Sequence, residues 1–356
     1  MTKRRVLIVD DSAYNRTTLS KLISGDAAFE VVGTASDGEE ALHKCLSLRP
    51  DLMTLDLEMP RMDGFTFLRI IMQKLPLPIV VVSSQASAEN VFRALELGAL
   101  DFIPKPTAGI SERLHEIGAE LLLKLHAAGR SRPKVMALED PRSKEPVAVK
   151  PVAPREVHGL VVIGASTGGP SALQRILTEL PMLPISIVIA QHMPKGFTRA
   201  FADRLNRYSA YEVREAQGGE SLQAGTAWIA PGAMNLAVFR NSSGTFLQVE
   251  KATGERYIPS VDRLFASAAA GEHDGLLGIV LTGMGDDGAE GARQLKSAGG
   301  FLYVESEETA IVNGMPAEAA KAAGAHRILP LGEMARSIEG WAKKLASKDS
   351  SELKRL

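Results

Sequence analysis

The chain has 356 residues, a length that corresponds to two domains with a hydrophobic core each. Its formal net charge is −1 and 45% of its residues are hydrophobic, which excludes the basic excess of a nucleic-acid-binding protein. No stretch reaches the roughly 18 apolar residues of a membrane-spanning helix, and the N-terminal apolar run is too short for a signal peptide. The single cysteine, Cys45, excludes an internal disulfide framework and favours a reducing compartment. We therefore expect a cytoplasmic protein with no nucleic-acid partner and no direct membrane insertion.

The first part of the chain, up to about His126, alternates short apolar runs with amphipathic stretches of helical period. The runs that predict strands are 6–9, 30–34, 51–55, 78–82 and 101–103. Five such alternations indicate a doubly wound α/β domain, in which helices cover both faces of a five-stranded parallel sheet. Any binding site of such a domain lies at the carboxyl ends of its strands.

Polar residues stand at those strand ends. Asp10 and Asp11 follow the first strand, Asp56 the third, Ser83 the fourth and Lys105 the fifth. Three carboxylates close together repel one another and are satisfied by a hard divalent cation, whereas a lysine pairs with an incoming anion. The alternative is that the first two aspartates only cap the following helix, a frequent role of aspartate. Capping does not explain why Lys105 and Asp56 also lie at strand ends.

With the added motifs Met59-Pro60, Met62-Asp63-Gly64 and Lys105-Pro106, this part of the chain resembles a two-component receiver domain. The resemblance implies that Asp56 accepts a phosphoryl group. It also implies a Mg²⁺ ion held by Asp11, Asp56 and the Glu58 carbonyl, with Asp10 assisting. The residues implied as the switch are Ser83, Phe102 and Lys105.

Prolines and charged residues dominate the next segment, and no apolar period survives there. We predict a receiver domain at 4–126, a linker at 127–156 and a second domain at 157–348. In the second domain the predicted strands are 160–164, 185–190, 226–230, 276–281 and 301–304, with a hairpin at 236–239 and 245–249 and helices at 196–208, 261–270, 288–298 and 334–346. This pattern predicts a second doubly wound α/β domain, mostly parallel with an antiparallel edge hairpin.

A serine follows the first strand of the second domain. Ser166 lies in Gly164-Ala165-Ser166-Thr167-Gly168, which fits the G-x-S-x-G pattern at a strand-to-helix turn. The free N–H groups and the positive dipole end of the opening helix stabilise a developing oxyanion. The five-residue pattern alone is weak, and a phosphate-binding loop is the alternative. No G-K-[ST] follows, however, and G-x-G-x-x-G is absent.

Two further strands of this domain end in groups that can titrate. His192 follows the strand at 185–190, and Asp286 and Asp287 follow the strand at 276–281. Because the carboxyl ends of parallel strands meet at one edge of a sheet, the serine, the histidine and one aspartate can meet there. These are the types required for a nucleophile, its base and the residue that orients the base. A histidine alone would more often be structural, so the catalytic hypothesis depends on the serine and the acid.

A set of motifs makes the second domain similar to the catalytic domain of chemotaxis protein-glutamate methylesterases. They are Gly164–Pro170, Gln191–Pro194, Ala230–Gly232, Pro259–Asp262, Leu281–Gly288 and Gly314–Pro316. The resemblance implies a triad of Ser166, His192 and Asp287, an oxyanion hole that includes the Met284 amide, and Thr167 beside the nucleophile. It implies hydrolysis of glutamate methyl esters on methyl-accepting chemotaxis receptors, with glutamine deamidation at the same site, no cofactor in this domain, and a chemotaxis histidine kinase as phosphodonor.

The sequence also departs from this family pattern. Asn235 and Tyr257 stand where relatives carry histidine, which we expect to alter the rim of the site and the substrate affinity. Ser260 and Asp262 are interpreted as caps of the following helix in preference to direct chemistry. The alternatives to the methylesterase are a generic serine esterase, a phosphorylation-gated binding module, and a transcriptional regulator, although no helix-turn-helix pattern or basic face is found.

Overall fold

The computed structural model describes residues 2–83, 88–105, 110–130, 157–271 and 273–347. The described residues form two compact units, one on either side of residues 131–156. The last helix of the first unit ends at Arg130, and the rest of the predicted linker lies outside the described residues. The domain boundaries therefore stay a prediction. Among the described helices, none has the length and apolar character required to cross a membrane.

The first unit is a parallel sheet with helices between its strands. The strands are β1 (Arg4–Val9), β2 (Phe29–Ala35), β3 (Leu52–Leu55), β4 (Ile79–Ser83) and β5 (Asp101–Pro104), and the helices are α1 (Ala13–Ser24), α2 (Gly38–Leu48), α3 (Gly64–Lys74), α4 (Ala88–Glu96) and α5 (Ile110–Arg130). The strand order is β2-β1-β3-β4-β5, and neighbouring strands pair in parallel. The predicted five-stranded receiver fold is confirmed. The chain passes from β1 to one side and returns to β3 on the other, so β1 and β3 flank the crevice in which such sheets bind ligands.

Burial explains why the central strands were visible in the sequence. All residues of β3 and β4 are buried, as are the last four of β1. Strands covered on both faces require continuous apolar runs rather than alternation. Each of these three runs ends in a polar residue at the edge of the sheet, namely Asp10, Asp56 and Ser83.

The second unit is larger and contains two sheets. Its strands are β6 (Gly159–Ala165), β7 (Ile185–Gln191), β8 (Glu212–Glu215), β9 (Thr226–Ile229), β10 (Met234–Asn241), β11 (Gly244–Lys251), β12 (Leu276–Val280), β13 (Phe301–Glu305) and β14 (Arg327–Leu329). Its helices are α6 (Gly169–Glu179), α7 (Thr198–Tyr208), α8 (Val261–Ala270), α9 (Ala289–Ser297), α10 (Met315–Ala323) and α11 (Leu331–Ala346). The predicted fold class is confirmed, and β8, β14 and α10 are additional to the predicted elements.

The main sheet has seven strands in the order β14-β13-β12-β6-β7-β9-β8, and all of its pairs are parallel. The antiparallel hairpin of β10 and β11 forms a two-stranded sheet of its own. From β6 the chain proceeds first to β7 on one side and later to β12 on the other. The crevice of this sheet therefore lies between the carboxyl ends of β6 and β12.

The hairpin is attached to α8. Its apolar residues Leu236, Val238 and Leu247 are buried in the same core cluster as Leu264 and Phe265 of that helix. The Val238 N–H also donates to Ser267 Oγ at 2.9 Å. Burial of this apolar face holds the hairpin against α8, the helix whose N-terminal end lies at the candidate active site.

Candidate active site

Ser166 lies in the sharp turn between β6 and α6, as the sequence predicted. Its N–H donates to the Thr282 carbonyl at 3.0 Å, and its carbonyl accepts from Gly169 N–H at 2.8 Å. Gly168 has a φ of 80°, which favours glycine, and a Cβ on Gly169 would lie 2.0 Å from Gln191 Oε1. No side chain caps α6. The turn thus presents the serine at the N-terminal end of α6, where the helix dipole favours an anion.

His192 and Asp287 form a hydrogen-bonded pair beside this turn. The histidine Nε2 lies 2.8 Å from Asp287 Oδ2. The adjacent Gln191 donates from Nε2 to the carbonyls of Ser166 and His192, in both cases at 3.0 Å. One buried amide therefore bonds the backbone of the residue predicted as the nucleophile to that of the residue predicted as its base. The structure brings all three residues of the predicted triad to one edge of the sheet.

The Asp287 carboxylate accepts hydrogen bonds from three further donors. Its oxygens accept from Ser260 Oγ at 3.1 Å and from the N–H groups of Val261 at 2.7 Å and Asp262 at 2.9 Å. Burial would raise the pKa of Asp287, but the hydrogen bond and charge of His192, with the two backbone N–H groups, hold it below its ordinary value. The carboxylate thus remains ionised at the N-terminus of α8, where the helix dipole also favours a negative charge.

Ser260 caps the following helix, as predicted, whereas the side chain of Asp262 caps α9 and not the helix that follows it, so that part of the prediction was wrong; both residues also contact Asp287. Ser260 Oγ accepts from Arg263 N–H in the first turn of α8, and Asp262 Oδ1 accepts from the N–H groups of Gly288 and Gly291 at the start of α9. Asn235 does not lie at the rim, so this expectation was wrong. It is 1% exposed, and its Oδ1 accepts from Ser260 N–H at 2.8 Å. The buried Asn235 amide therefore fixes the backbone of Ser260, whose hydroxyl donates to Asp287.

Tyr257 lies against the face of His192. The two rings are 5.1 Å apart between centroids and 2° from parallel, and the Arg256 guanidinium lies 5.0 Å from the tyrosine ring centre. Burial raises the pKa of the Tyr257 phenol, and Asp286 and Asp287 act in the same direction. The phenol oxygen has no hydrogen-bond partner in the described part of the chain, and a Cβ on Gly285 would lie 2.3 Å from it. The tyrosine ring therefore forms one wall beside His192.

Thr282 connects the turn of Ser166 to the strand end of β12, a role that the sequence did not reveal. Its Oγ1 donates to the Thr167 carbonyl at 2.9 Å and accepts from Val312 N–H at 3.0 Å. Its own N–H donates to Glu305 Oε2 at 2.9 Å. A polar residue at the end of a buried strand was the available signal for both Thr282 and Glu305.

Met284 and Thr167 also lie at this edge of the sheet. Gly283, which precedes Met284, packs so closely on the serine that a Cβ there would lie 2.9 Å from Ser166 Cβ. No described hydrogen bond uses the Met284 N–H, which is therefore available to an oxyanion. Thr167 is 4% exposed. Both placements are compatible with the roles that the resemblance implies, which stay predictions.

The acidic cluster of the first unit lies at the carboxyl ends of β1 and β3. Asp10, Asp11 and Asp56 each offer a carboxylate oxygen, and these oxygens lie within 4.8 Å of one another. One cation with oxygen ligands can bridge such distances. Lys105 Nζ pairs with Asp56 and lies 2.7 Å from Asp10 Oδ2. Burial raises the pKa of Asp56, although the charge and hydrogen bond of Lys105 oppose this shift. Burial by itself would lower the pKa of Lys105, but the charges of Asp56 and Asp10 outweigh it and raise that pKa.

Of the residues predicted as the switch, Lys105 pairs with this cluster, and Ser83 ends the strand that neighbours β3. Ser83 and Phe102 are 1% and 3% exposed, at the end of β4 and within the neighbouring β5. Lys124 of α5 donates to the Phe102 carbonyl at 2.7 Å and lies 5.3 Å from the centre of its ring. The Glu58 N–H donates to Asp56 Oδ1 at 3.3 Å, which places Glu58 beside the predicted phosphoacceptor.

A receiver-like domain followed by an α/β domain with serine, histidine and aspartate at neighbouring strand ends defines a regulated hydrolase class. Comparison with known proteins agrees with this class. The CheB methylesterase family model matches residues 161–338, and the response regulator receiver domain model matches residues 6–117.

Three relatives match both parts of the chain. The protein-glutamate methylesterase/protein-glutamine glutaminase 3 of Geobacter sulfurreducens is 46% identical over 360 residues, covering 95% of this chain and 97% of the relative. Protein-glutamate methylesterase/protein-glutamine glutaminase 1 of Myxococcus xanthus is 45% identical, with 95% and 97% covered. Protein-glutamate methylesterase/protein-glutamine glutaminase 2 of Carboxydothermus hydrogenoformans is 44% identical, with 95% and 99% covered. The chain belongs to the CheB methylesterase family and carries a receiver domain in front of its methylesterase domain.

Proposed function

We propose that the protein is a phosphorylation-activated serine hydrolase that removes methyl esters from glutamate residues of methyl-accepting chemotaxis receptors. The observation that carries this proposal is the His192–Asp287 hydrogen bond beside the turn of Ser166, in a chain of the CheB methylesterase family. The names of the relatives support both the ester substrate and a second activity, deamidation of receptor glutamines.

In the proposed reaction, His192 takes the Ser166 hydroxyl proton through the ring nitrogen that does not face Asp287. The serine oxygen attacks the ester carbonyl, and the Met284 N–H stabilises the oxyanion that forms. The imidazolium returns the proton to the departing methoxide, so methanol leaves and an acyl-enzyme remains. Water, activated by the same histidine, hydrolyses the acyl-enzyme and leaves a glutamate carboxylate. Asp287 keeps the imidazole in the required tautomer.

The same steps apply to a glutamine side chain. Its amide presents an equivalent carbonyl, and the imidazolium protonates the departing amide nitrogen, so ammonia leaves instead of methanol. No group beyond the triad and the oxyanion hole is required, so we propose that this domain uses no cofactor.

In the receiver domain we propose that Asp56 accepts the phosphoryl group from a chemotaxis histidine kinase. Mg²⁺ would be held by Asp11, Asp56 and the Glu58 carbonyl, with Asp10 assisting, and would supply positive charge to the phosphoryl oxygens. Lys105 contributes a second positive charge, and Ser83 and Phe102 respond to the phosphoryl group. The single, buried cysteine supports a reducing compartment, and we propose the cytoplasm.

Release of methanol from a methylated receptor tests the substrate, and labelling of Ser166 by a fluorophosphonate tests the nucleophile. Ser166→Ala is expected to abolish both, because removal of a triad nucleophile lowers kcat by about 10³ to 10⁶. Ser171→Ala, on the first turn of α6, is the matched control and is expected to retain both. Labelling without methanol release would favour a generic serine esterase, and absence of both in the wild type would favour a binding module.

A further inference from the structure

Glu305 is a buried carboxyl group for which the proposed reaction has no use. It is the last residue of β13 and is 1% exposed. Since β13 pairs in parallel with β12, the carboxyl lies at the same edge of the sheet as the turn of Ser166. None of its described hydrogen bonds involves His192 or Asp287. Its position therefore calls for a role other than orienting the base.

The carboxyl reaches the nucleophile through one intermediate residue. Glu305 Oε2 accepts from Thr282 N–H at 2.9 Å, and the Thr282 carbonyl accepts from Ser166 N–H at 3.0 Å. The hydroxyl of the same threonine donates to the Thr167 carbonyl at 2.9 Å. Two consecutive residues of the turn are thus bonded to Thr282, and Thr282 is bonded to Glu305.

The burial of this carboxyl, and not its hydrogen bonds, favours its uncharged form. Its other oxygen, Oε1, is buried and has no hydrogen-bond partner in the parts of the chain that the structure describes. Burial raises the pKa of Glu305 to about 7. The groups that act against this shift are the Thr282 N–H from the end of β12, Thr309 from the loop after β13, and the charge of Arg175 on α6. The Arg175 guanidinium already pairs with Glu179 at 3.0 Å. An ionised Glu305 would therefore be a poorly compensated buried charge.

We propose that Glu305 is a positioning residue for Ser166: its uncharged carboxyl holds Thr282 and the nucleophile turn in place, and once ionised the side chain is driven toward solvent by the cost of a buried charge, which breaks its contact with Thr282. The proposal rests on the proposed serine mechanism. It makes the reactivity of the serine depend on the protonation of a residue that never contacts the substrate. A glutamine side chain, which is neutral at every pH and offers the same acceptor oxygen, would preserve the connection.

The test measures the rate at which a fluorophosphonate labels Ser166 in the full-length protein between pH 5.5 and 9. The variants are Glu305→Gln and, as matched control, Glu307→Gln, the same change at an exposed position two residues further on. The labelling rate of Glu305→Gln relative to wild type is expected to rise from about 1 at pH 6 to at least about fivefold at pH 8.5, because the wild-type carboxyl ionises in between. Glu307→Gln is expected to follow the wild type throughout. A constant ratio, or a loss above about tenfold in Glu305→Gln at pH 6, would overturn the proposal.

A second variant removes the acceptor altogether. Glu305→Leu leaves the Thr282 N–H without a partner, and labelling is expected to fall at least about tenfold at every pH. Unchanged labelling in this variant would also contradict the proposal, and if the variant does not fold, the pH profile of Glu305→Gln decides alone. Failure of Ser166 to react in the wild type would reject the serine mechanism itself, whereas equal pH profiles of wild type and Glu305→Gln would reject only the positioning role.

Discussion

His192 presents its Nε2 atom to Asp287, at 2.8 Å from Oδ2, so Nδ1 is the ring nitrogen left for Ser166. In the serine protease template the acid faces Nδ1 and the serine faces Nε2. In the inverted arrangement one ring nitrogen can still donate to the aspartate while the other accepts from the serine, because each nitrogen of a neutral imidazole can donate or accept according to the tautomer. Because Nδ1 is the ring nitrogen nearer the main chain, its position in the proposed mechanism depends more directly on the backbone at the end of β7.

The two neighbouring aspartates after β12 are expected to differ sharply. Asp287→Asn replaces an acceptor by an amide whose NH₂ group would face backbone N–H donors, and the wrong imidazole tautomer is then favoured. We expect kcat for methanol release to fall by about 10³ to 10⁴. Asp286→Asn changes an exposed side chain and is expected to stay within about twofold of wild type. A larger loss in Asp286→Asn would mean that the other aspartate orients the base.

The contributions of the Tyr257 ring and of its hydroxyl to catalysis can be tested separately. Tyr257→Phe retains the ring that stacks on His192 and removes a hydroxyl without a described partner, so kcat/KM is expected to change by less than about twofold. Tyr257→Ala removes the ring and is expected to lower kcat/KM by roughly tenfold, the value of one aromatic contact. Equal effects of both variants would show that the phenol oxygen itself binds substrate.

The hydroxyl of Thr282 is expected to be needed for both stability and reactivity. Thr282→Val keeps the shape of the side chain but leaves the Thr167 carbonyl and the Val312 N–H without their partner. The free energy of unfolding should fall by about 1 to 3 kcal/mol, with slower fluorophosphonate labelling of Ser166. Thr282→Ser retains the hydroxyl and serves as the control. A Thr282→Val protein that labels at the wild-type rate would contradict this role.

Activation is expected to require Asp56. When a small-molecule phosphodonor and Mg²⁺ are added, the wild type should release methanol from methylated receptor faster, and Asp56→Asn should stay at its basal rate. The matched control is Asp63→Asn at the exposed N-cap of α3, where asparagine caps equally well. Stimulation of Asp56→Asn to the wild-type level would place the phosphoacceptor elsewhere. Withdrawal of Mg²⁺ should abolish stimulation in the wild type and in Asp63→Asn alike.

The pH dependence of the free energy of unfolding should reflect the ionisation of Glu305. The pKa of this carboxyl rises from its ordinary 4.5 to about 7 in the folded chain. The folded protein therefore keeps a proton that the unfolded chain releases, and the free energy of unfolding falls as pH rises from 4.5 to 7. The total loss is on the order of 3 kcal/mol. Glu305→Gln should not show this loss of stability, because glutamine does not ionise. Its thermal unfolding midpoint should therefore exceed that of wild type at pH 8 but not at pH 4.5. Equal midpoints at both pH values would contradict the raised pKa.

The main features of both sheets could be predicted from the sequence because their central strands are apolar and buried on both faces. The missed strands lie at the edges of the second sheet. β8 (Glu212–Glu215) has a charged sequence and alternates between exposed and buried residues, and β14 (Arg327–Leu329) has only three residues. Such edge strands form because a neighbouring strand offers its hydrogen-bonding groups, which a local pattern does not reveal. α10 (Met315–Ala323) is rich in alanine and has too few large apolar residues for a clear helical period.

The candidate active site, like the fold, was predictable from the sequence only in part. Ser166, His192 and Asp287 were identified because each follows a buried strand or lies in the loop after one. Asn235 was misplaced because a polar residue at the start of a hairpin strand gives no indication of its burial. The connection from Glu305 through Thr282 joins residues distant in sequence, and only the register of β12 and β13 brings them together.

The Gln191 amide has a consequence for regulation. Since it bonds the carbonyls of Ser166 and His192 at once, it fixes the separation between the backbones of these two residues. A signal that changes activity therefore has little freedom to draw these two residues apart. It can act instead on access to the pair as a whole, on the loop after β12 that carries Asp287 and Met284, or on the turn of Ser166 through Thr282.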